Sequence, residues 1–457
     1  MQTQSALNLI KTLSFADSVF IVGGALRDEH LGMEIKDIDL VSFGKNSGLN
    51  TAKALKTLFK DSITGPFSVG DPPVIKLRFK EDIVYRNKVF SCKDIEIDIT
   101  QAQGKLIEDI KRRDFTINML AFDLKEKELL DPSGRALQDL EARTLRTLPE
   151  TSPSVTFKDD PVRLIRLARF ASVMNFSISE NIKSSTKELS GLLEGAPGER
   201  LQSEIEKVCI KGRLSKFVKI LDELGLLRKV LPEVSDLKGV EQDVYYHSEG
   251  DVFTHTLLVV KNSPKGVIPQ LSALLHDIGK PSTQEFFPVK NSPPRIKFIG
   301  HEKVGEEIAG SILKRLRYDN RTISKVKKLV KNHLRPLNAN DWSPKALRKF
   351  SRELGEDAMN CLDLAEADIL SSYDKEGKIR VNPIPRIRKE LKDLTPTINT
   401  SPILTGKEII EALSIEKGPL IGEIKKKLIE WEDEQVLEGK EITKSSAVDF
   451  LKSYLKM

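Results

Sequence analysis

Two carboxylates spaced two residues apart, in Asp37-Ile-Asp39-Leu, follow closely on the segment Phe20-Ile-Val-Gly-Gly-Ala-Leu-Arg-Asp28. Residues i and i+2 of a strand point to one face, so Asp37 and Asp39 lie side by side while Ile38 and Leu40 face a core. Like charges that close repel unless a cation sits between them. Oxygen-only ligands select a hard cation, most simply Mg²⁺. Upstream, an apolar run ends in Gly23-Gly24, a turn where the backbone approaches a ligand closely. Residues 25–31 then read as the start of a helix, with Arg27 near its N-terminus. Glycines for a phosphate, an arginine for its charge and a carboxylate pair for metal describe a nucleotidyl-transfer site. Taken singly, such a turn is mostly just a turn, and such a pair mostly solvated surface.

Three further stretches carry reactive residue types. In Ile95-Glu-Ile-Asp-Ile-Thr100, Glu96 and Asp98 share a strand face. A base there takes the proton from a ribose 3′-hydroxyl; Asp98 is the expected third carboxylate, with Glu96 left open. In Asp109-Ile-Lys-Arg-Arg-Asp-Phe-Thr-Ile-Asn118, Arg112 and Arg113 neutralise phosphates, which arginine grips bidentately. In Lys158-Asp-Asp-Pro-Val-Arg163-Leu-Ile-Arg166-Leu-Ala-Arg169, the spacing of three predicts Asp160, Arg163, Arg166 and Arg169 on one broad helix face. Downstream, five of the six histidines fall between 247 and 333, among them His255, the doublet His276-Asp277, His301 and His333. A lone buried histidine is more often core than ligand, but this clustering is not explained that way. Imidazole with carboxylate suits a divalent transition metal such as Ni²⁺, Co²⁺ or Mn²⁺.

The first of these stretches resembles the head signature of class II nucleotidyltransferases, the tRNA CCA-adding enzymes and bacterial poly(A) polymerases. Residues 109–121 and 158–170 resemble that family's next motifs, with Asp159 where a glutamate is usual. The histidine cluster resembles the HD phosphohydrolase superfamily in the form fused to some of these enzymes. The resemblance implies an α/β nucleotidyltransferase (polymerase-β-like) head followed by an all-α neck, body, HD domain and tail. It implies catalytic Asp37, Asp39 and Asp98, with Mg²⁺ held by Asp37 and Asp39, and nucleotide at Gly24, Arg27, Arg113, Asp160, Arg163, Arg166 and Arg169. It implies a second metal at His255, His276, Asp277 and Asp368, hydrolysing a 2′,3′-cyclic or 2′-phosphate at an RNA end.

Cytosine and adenine each place an amino donor beside a ring-nitrogen acceptor, so a carboxylate with a guanidinium reads both. Uracil and guanine reverse that order. Asp160 and Arg163 are therefore expected to choose the base. The partners implied are tRNA, ATP and CTP. In relatives an arginine often stands five residues after the third carboxylate, where this chain has Gln103, and the segment from Asp98 to Arg112 is short. Addition of CC or A alone therefore stands beside full CCA addition, with poly(A) synthesis a rival. A phosphohydrolase whose head only anchors RNA is the alternative of another class.

The elements expected to carry these residues change character along the chain. Strand-like runs at 19–22, 38–43, 74–79, 95–99 and 129–130 mix with helices before about 140; beyond 155 the pattern is helical almost throughout. The expected domains are a head at 1–140, neck and body at 141–245, an HD domain at 246–372 and a tRNA-binding tail at 373–457. Exposed loops are expected at Asn291-Ser-Pro-Pro294 and in the Thr/Ser/Pro-rich stretch 391–402. At 457 residues several cores are needed. No apolar run approaches the ~20 residues of a membrane span, no leader is legible, and the three separated cysteines suit a reduced, cytoplasmic protein with no obligatory protein partner. Net charge is a mild +6. Residues 311–350, however, hold twelve Lys/Arg against two Asp, either a solvated helical face or a phosphate track.

Overall fold

The computed structural model describes residues 2–455, apart from 71–72, 103, 244, 290–291, 340–341, 380 and 395–401. Gln103 and Asn291 thus lie outside the described residues, as does most of the stretch 391–402. The chain divides into two compact units, Met1–Ala196 with Ile220–Lys229, and Pro197–Lys219 with Val230–Met457.

The first unit is built on a mixed sheet. Its strands are β1 (Ser18–Val22), β2 (Asp37–Phe43), β3 (Ile63–Val69), β4 (Val74–Phe79), the small hairpin β5 (Ile83–Tyr85) and β6 (Lys88–Phe90), β7 (Glu96–Ala102), β8 (Ala121–Asp123) and β9 (Glu128–Leu130). Seven of them form one sheet in the order β3-β4-β7-β2-β1-β8-β9. Only β2 and β7 run parallel among these pairings; the rest are antiparallel. Alternation explains β2 and β7. Ile38, Leu40, Ile97 and Ile99 are wholly buried, while Asp37, Asp39, Glu96 and Asp98 alternate with them towards the other face. Phe20 of β1 packs edge-on against Phe43 of β2, with ring centroids 5.8 Å apart.

Between residues 153 and 174 the structure departs from the expected continuous helix face. One helix ends at Asp159, the next begins at Arg163, and Asp160 between them is extended. The reason is Pro161. Its ring disfavours the helical conformation in the residue before it and leaves no N–H to continue the first helix. Asp160 instead turns back to accept the Val162 N–H at 3.1 Å. Arg163, Arg166 and Arg169 do share the Arg163–Met174 helix, whose Leu164, Ile165, Leu167 and Ala168 are wholly buried.

The second unit is mainly helical. Its exception is an antiparallel hairpin of Gln284–Val289 and Ser292–Phe298, where the sequence suggested helix and loop. Both strands are edges, and an edge tolerates proline. The basic block around 320–332 is an ion-paired face: Lys325 meets Glu356 at 2.6 Å, Lys327 meets Glu307 at 3.0 Å and Lys331 meets Glu306 at 2.9 Å. Such exposed pairs contribute about 0–1 kcal/mol each. Near the end of the chain, helices Gly406–Leu413, Leu420–Leu437 and Lys444–Tyr454 enclose Ile409, Leu413, Ile424, Leu428 and Leu451. No helix among the described residues is long and apolar enough to cross a membrane.

Candidate functional sites

In the first unit, strand register gathers the carboxylates. Asp37 pairs with Glu96 and Asp39 with Asp98 across the parallel β2–β7 ladder. On the far side of β7, Lys76 of β4 stands opposite Asp98 and reaches its Oδ2 at 2.6 Å. Asp98 Oδ1 is buried with no hydrogen-bond partner. Burial, reinforced by Asp37 and Asp98, pushes the Asp39 carboxyl up to about 6, against the pull of Arg113 and Lys76. A buried, partnerless oxygen beside a carboxylate that resists ionising fits an oxygen-coordinated cation.

Arginines face this cluster. Gly23 has φ 74°, a conformation that favours glycine, and a Cβ there would come within 2.6 Å of Arg113 Nη1 and push the guanidinium aside. Asp109 holds Arg113 from the other side at 3.1 Å. Arg27 donates to Asn118 Oδ1 at 2.6 Å and pairs with its neighbour Asp28. Asn118 donates in turn to Asp114, whose other oxygen takes Arg166 at 2.7 Å. Burial alone would raise Asp114, but the Arg166 guanidinium, with Asn118, holds it below the usual carboxylate range. Arg169, Arg27 and Arg166 lie 3.9, 5.1 and 5.4 Å from the buried ring of Phe170. Arg163 spends its Nη1 and Nη2 on the carbonyls of Thr156 and Arg112. The structure therefore joins Arg27 and Arg166 through Asn118 and Asp114, whereas Asp160 and Arg163 do not form the adjacent helical pair that the spacing suggested. Gly24, by contrast, has only the Arg27 guanidinium beside its Cβ position, at 3.6 Å.

In the second unit, the predicted residues converge from separate helices. His255 lies in Val252–Asn262, whose N-cap Asp251 accepts from Thr254 N. His276 caps the C-terminus of Val267–Leu275, His301 opens His301–Arg315, His333 ends Asn320–Asn332 and Asp368 lies in Ala358–Ile369. Three of the imidazoles repeat one local device. Nδ1 of His276, His301 and His333 donates to the carbonyl three residues earlier, at 2.8, 2.7 and 2.6 Å. Each Nε2 is thereby turned inward.

They turn towards Asp277. Its Oδ2 lies 3.1 Å from His276 Nε2 and 3.7 Å from His255 Nε2; its Oδ1 lies 3.3 Å from His301 Nε2 and 3.9 Å from His333 Nε2. Asp368 Oδ1 is 3.2 Å from His255 Nε2. His276 Nε2 is buried without an aligned hydrogen bond. Among the described residues, the groups of three metal-donor atoms within 4.8 Å of one another all lie here: His255, His276 and Asp277; Asp277, His301 and His333; His247, Glu249 and His255. Buried nitrogen and carboxylate donors whose other ring nitrogens are tied down fit a divalent metal.

The charges respond accordingly. Burial opposes ionisation of Asp277, yet His276 and Lys280 hold it well below the usual range. Burial would keep His255 neutral, but Asp368 and Glu249 raise it to about 9. Burial and the nearby imidazoles of His276 and His301 push His333 down to about 3. A cavity of about 280 Å³ opens beside these groups, with Tyr246, Lys280, Lys297 and Phe298 on its walls.

Sequence reasoning missed Lys76, Glu249 and Lys280. Lys280 left a signal, since it stands one helical turn after Asp277 and forms an ion pair with it at 2.7 Å. Glu249 left a weaker one, two residues after His247. Lys76 left none, because its place beside Asp98 depends on a cross-strand register.

Three family models match the chain: the Poly A polymerase head domain over residues 19–146, the probable RNA and SrmB-binding site of polymerase A over 175–238, and the HD domain over 244–373. A multifunctional CCA protein of Laribacter hongkongensis is 33% identical over 306 residues, 65% of this chain and 70% of that protein. The CC-adding tRNA nucleotidyltransferase of Thermus thermophilus is 28% identical, with 94% of this chain and 92% of that one aligned. The CCA-adding enzyme of Bacillus stearothermophilus in complex with CTP shares the fold, with a TM-score of 0.63 at 19% identity over 100% of this chain and 98% of that one.

Proposed function

The chain belongs to the CCA-adding tRNA nucleotidyltransferase family, and from that premise we propose that it adds C, C and A to the 3′ end of tRNA, drawing on CTP and ATP without a nucleic-acid template. The observation that carries this reading is the β2–β7 register, which sets Asp37, Asp39 and Asp98 on one face beside Arg113 and the Gly23 turn. Asp37 and Asp39 would hold Mg²⁺, which supplies charge stabilisation to the phosphoryl group in transfer. Asp98 takes the proton of the primer's 3′-hydroxyl. Arg27 and Arg113 bind the triphosphate at the Gly24 turn. Asp160 and Arg163 read the base, Arg163 exchanging its carbonyl partners for the ring nitrogen, and Arg166 and Arg169 lie nearer the phosphates. The tail is read as holding tRNA. The reading places the enzyme in the cytoplasm.

The test is incubation of tRNA ending at its discriminator base with CTP and ATP, separately and together, followed by sequencing of the products. A terminal CCA is expected. A second reading, CC addition alone, is favoured by one observation: β7 ends at Ala102 and the next helix begins at Leu106, so little chain separates them. Products that stop at CC at every enzyme concentration would establish it.

The second site is read as a metal-dependent phosphohydrolase acting on 2′,3′-cyclic or 2′-phosphates. His255, His276, Asp277 and Asp368 would hold Ni²⁺, Co²⁺ or Mn²⁺, which supplies a hydroxide nucleophile at neutral pH. Lys280 and Lys297 line the cavity as phosphate-binding cations.

A further inference from the structure

Three of the four imidazoles of the second site are oriented by the carbonyl three residues earlier; His255 is the exception. It lies in the first turn of its helix, where the backbone carbonyls are taken by helix hydrogen bonds. Its Nδ1 lies 2.8 Å from Oε1 of Glu249, an ion-pair contact not aligned as a hydrogen bond, and Nδ1 of His247 hydrogen-bonds that same oxygen at 2.8 Å. The Glu249 side chain is only 3% exposed. Its other oxygen accepts the backbone N–H of Tyr373 at 3.1 Å. Ser248 fastens the same two strands of chain, its N–H to the Tyr373 carbonyl at 2.9 Å and its hydroxyl to the Asp374 carbonyl at 2.7 Å. Tyr373 follows shortly on Asp368, which bears on His255 from the opposite ring nitrogen at 3.2 Å.

We propose that Glu249 is the positioning residue of this metal centre: it fixes His255 as the Nδ1–H tautomer, aims Nε2 at the metal, and joins the segments carrying His247, His255 and Asp368. This rests on reading the cluster as a metal centre. A buried carboxylate is costly unless hydrogen-bonded, and here the His247 imidazole N–H and the Tyr373 backbone N–H satisfy it, while the His255 ring nitrogen closes on it at 2.8 Å. Its negative charge also makes the His255 imidazole a stronger donor, as outer carboxylates do for ligating histidines. The neighbouring Ser248 hydroxyl ties the same loop to the Asp374 carbonyl, so its loss loosens the loop and leaves the Glu249–His255 contact in place.

The experiment is a Mn²⁺ titration followed by electron paramagnetic resonance on the full chain, with Glu249→Ala, Glu249→Gln and Ser248→Ala beside the wild type. Glu249→Ala is expected to weaken Mn²⁺ binding by about 10–100-fold. Glu249→Gln, which keeps an acceptor oxygen, should recover part of that loss. Ser248→Ala loosens the same loop without touching a metal-donor residue and should stay within about threefold of wild type. Equal affinity in the wild type and Glu249→Ala overturns the proposal. So does an equal loss in Ser248→Ala, which would make loop packing the cause. A wild type that takes up no Mn²⁺ removes the metal-centre reading itself, so the two failures are distinguishable.

Discussion

The head site is open and the histidine site is closed. In the head, carboxylates line the face of a sheet. Asp37 and Glu96 are exposed, and Lys76 occupies one oxygen of Asp98. In the second unit His255, His276, Asp277, His301, His333 and Asp368 are all buried. The difference follows from what holds the donors. Strands set carboxylates in a row, so a row leaves one side free for a large substrate. Helices aim single side chains inward, so four imidazoles and two carboxylates close around a small volume. The open site carries a strain that a cation relieves, seen in the raised Asp39. The closed site is already compensated, since Lys280 and the imidazoles hold Asp277 ionised. Opening suits a polymer end with a triphosphate; closing suits one phosphate on a small or terminal nucleotide.

The largest expected effect lies in the open site. Asp37→Ala should lower nucleotide incorporation by about 10³-fold or more, some 4 kcal/mol of transition-state stabilisation, without unfolding the chain. Rates within tenfold of wild type would remove the carboxylate row from the chemistry. Next comes the closed site. The double change His276→Ala with Asp277→Ala should reduce hydrolysis of 2′,3′-cyclic AMP by about 100-fold or more, because the ligand set is lost, and leave nucleotide addition intact. Loss of both activities together would show that the two sites are not chemically separate.

Smaller is the effect on selection. Asp160→Ala should erode the preference for CTP and ATP over UTP and GTP by about tenfold, since one mismatched hydrogen bond is worth about 1–3 kcal/mol. Triphosphate affinity should change little. Unaltered discrimination in competition assays would move base reading to the Arg27–Asn118–Asp114–Arg166 chain.

The smallest effect is a pH dependence of the head without metal. Asp39 has a folded value of about 6, above the unfolded value near 3.9. The native state therefore holds this proton more tightly, and stability should fall as pH rises from about 4 to about 6. In EDTA at neutral pH, Asp39→Asn should raise stability by about 1–2 kcal/mol, and that fall should shrink. Melting curves across this range decide it: a slope unchanged in Asp39→Asn assigns the pH dependence to other groups.

Much of both sites was legible because the signals were local. The strand period of two placed Asp37 with Asp39 and Glu96 with Asp98, and the spacing of three placed Arg163, Arg166 and Arg169 on one helix. The same spacing failed at Asp160, because proline restricts the residue before it more strongly than periodicity carries a helix through it. The hairpin at 284–298 was missed because its edge strands need no buried alternation. The family's motifs named the histidines and Asp368 but did not supply the order in which they meet.

Residue type and short-range spacing thus pointed to the candidate donors, their charges and the class of cation each set would suit, since these depend on side-chain chemistry and backbone period alone. The fold decided which donors are neighbours: Asp39 with Asp98 and Lys76, Arg166 with Asp114, and Glu249 with His255 and the chain after Asp368. Those contacts join residues 59, 52 and 124 positions apart in the first ladder, the buried ion pair and the Tyr373 bond. Such pairings are set by sheet register and helix packing, which are properties of the whole core and leave no periodic trace in the residues that meet.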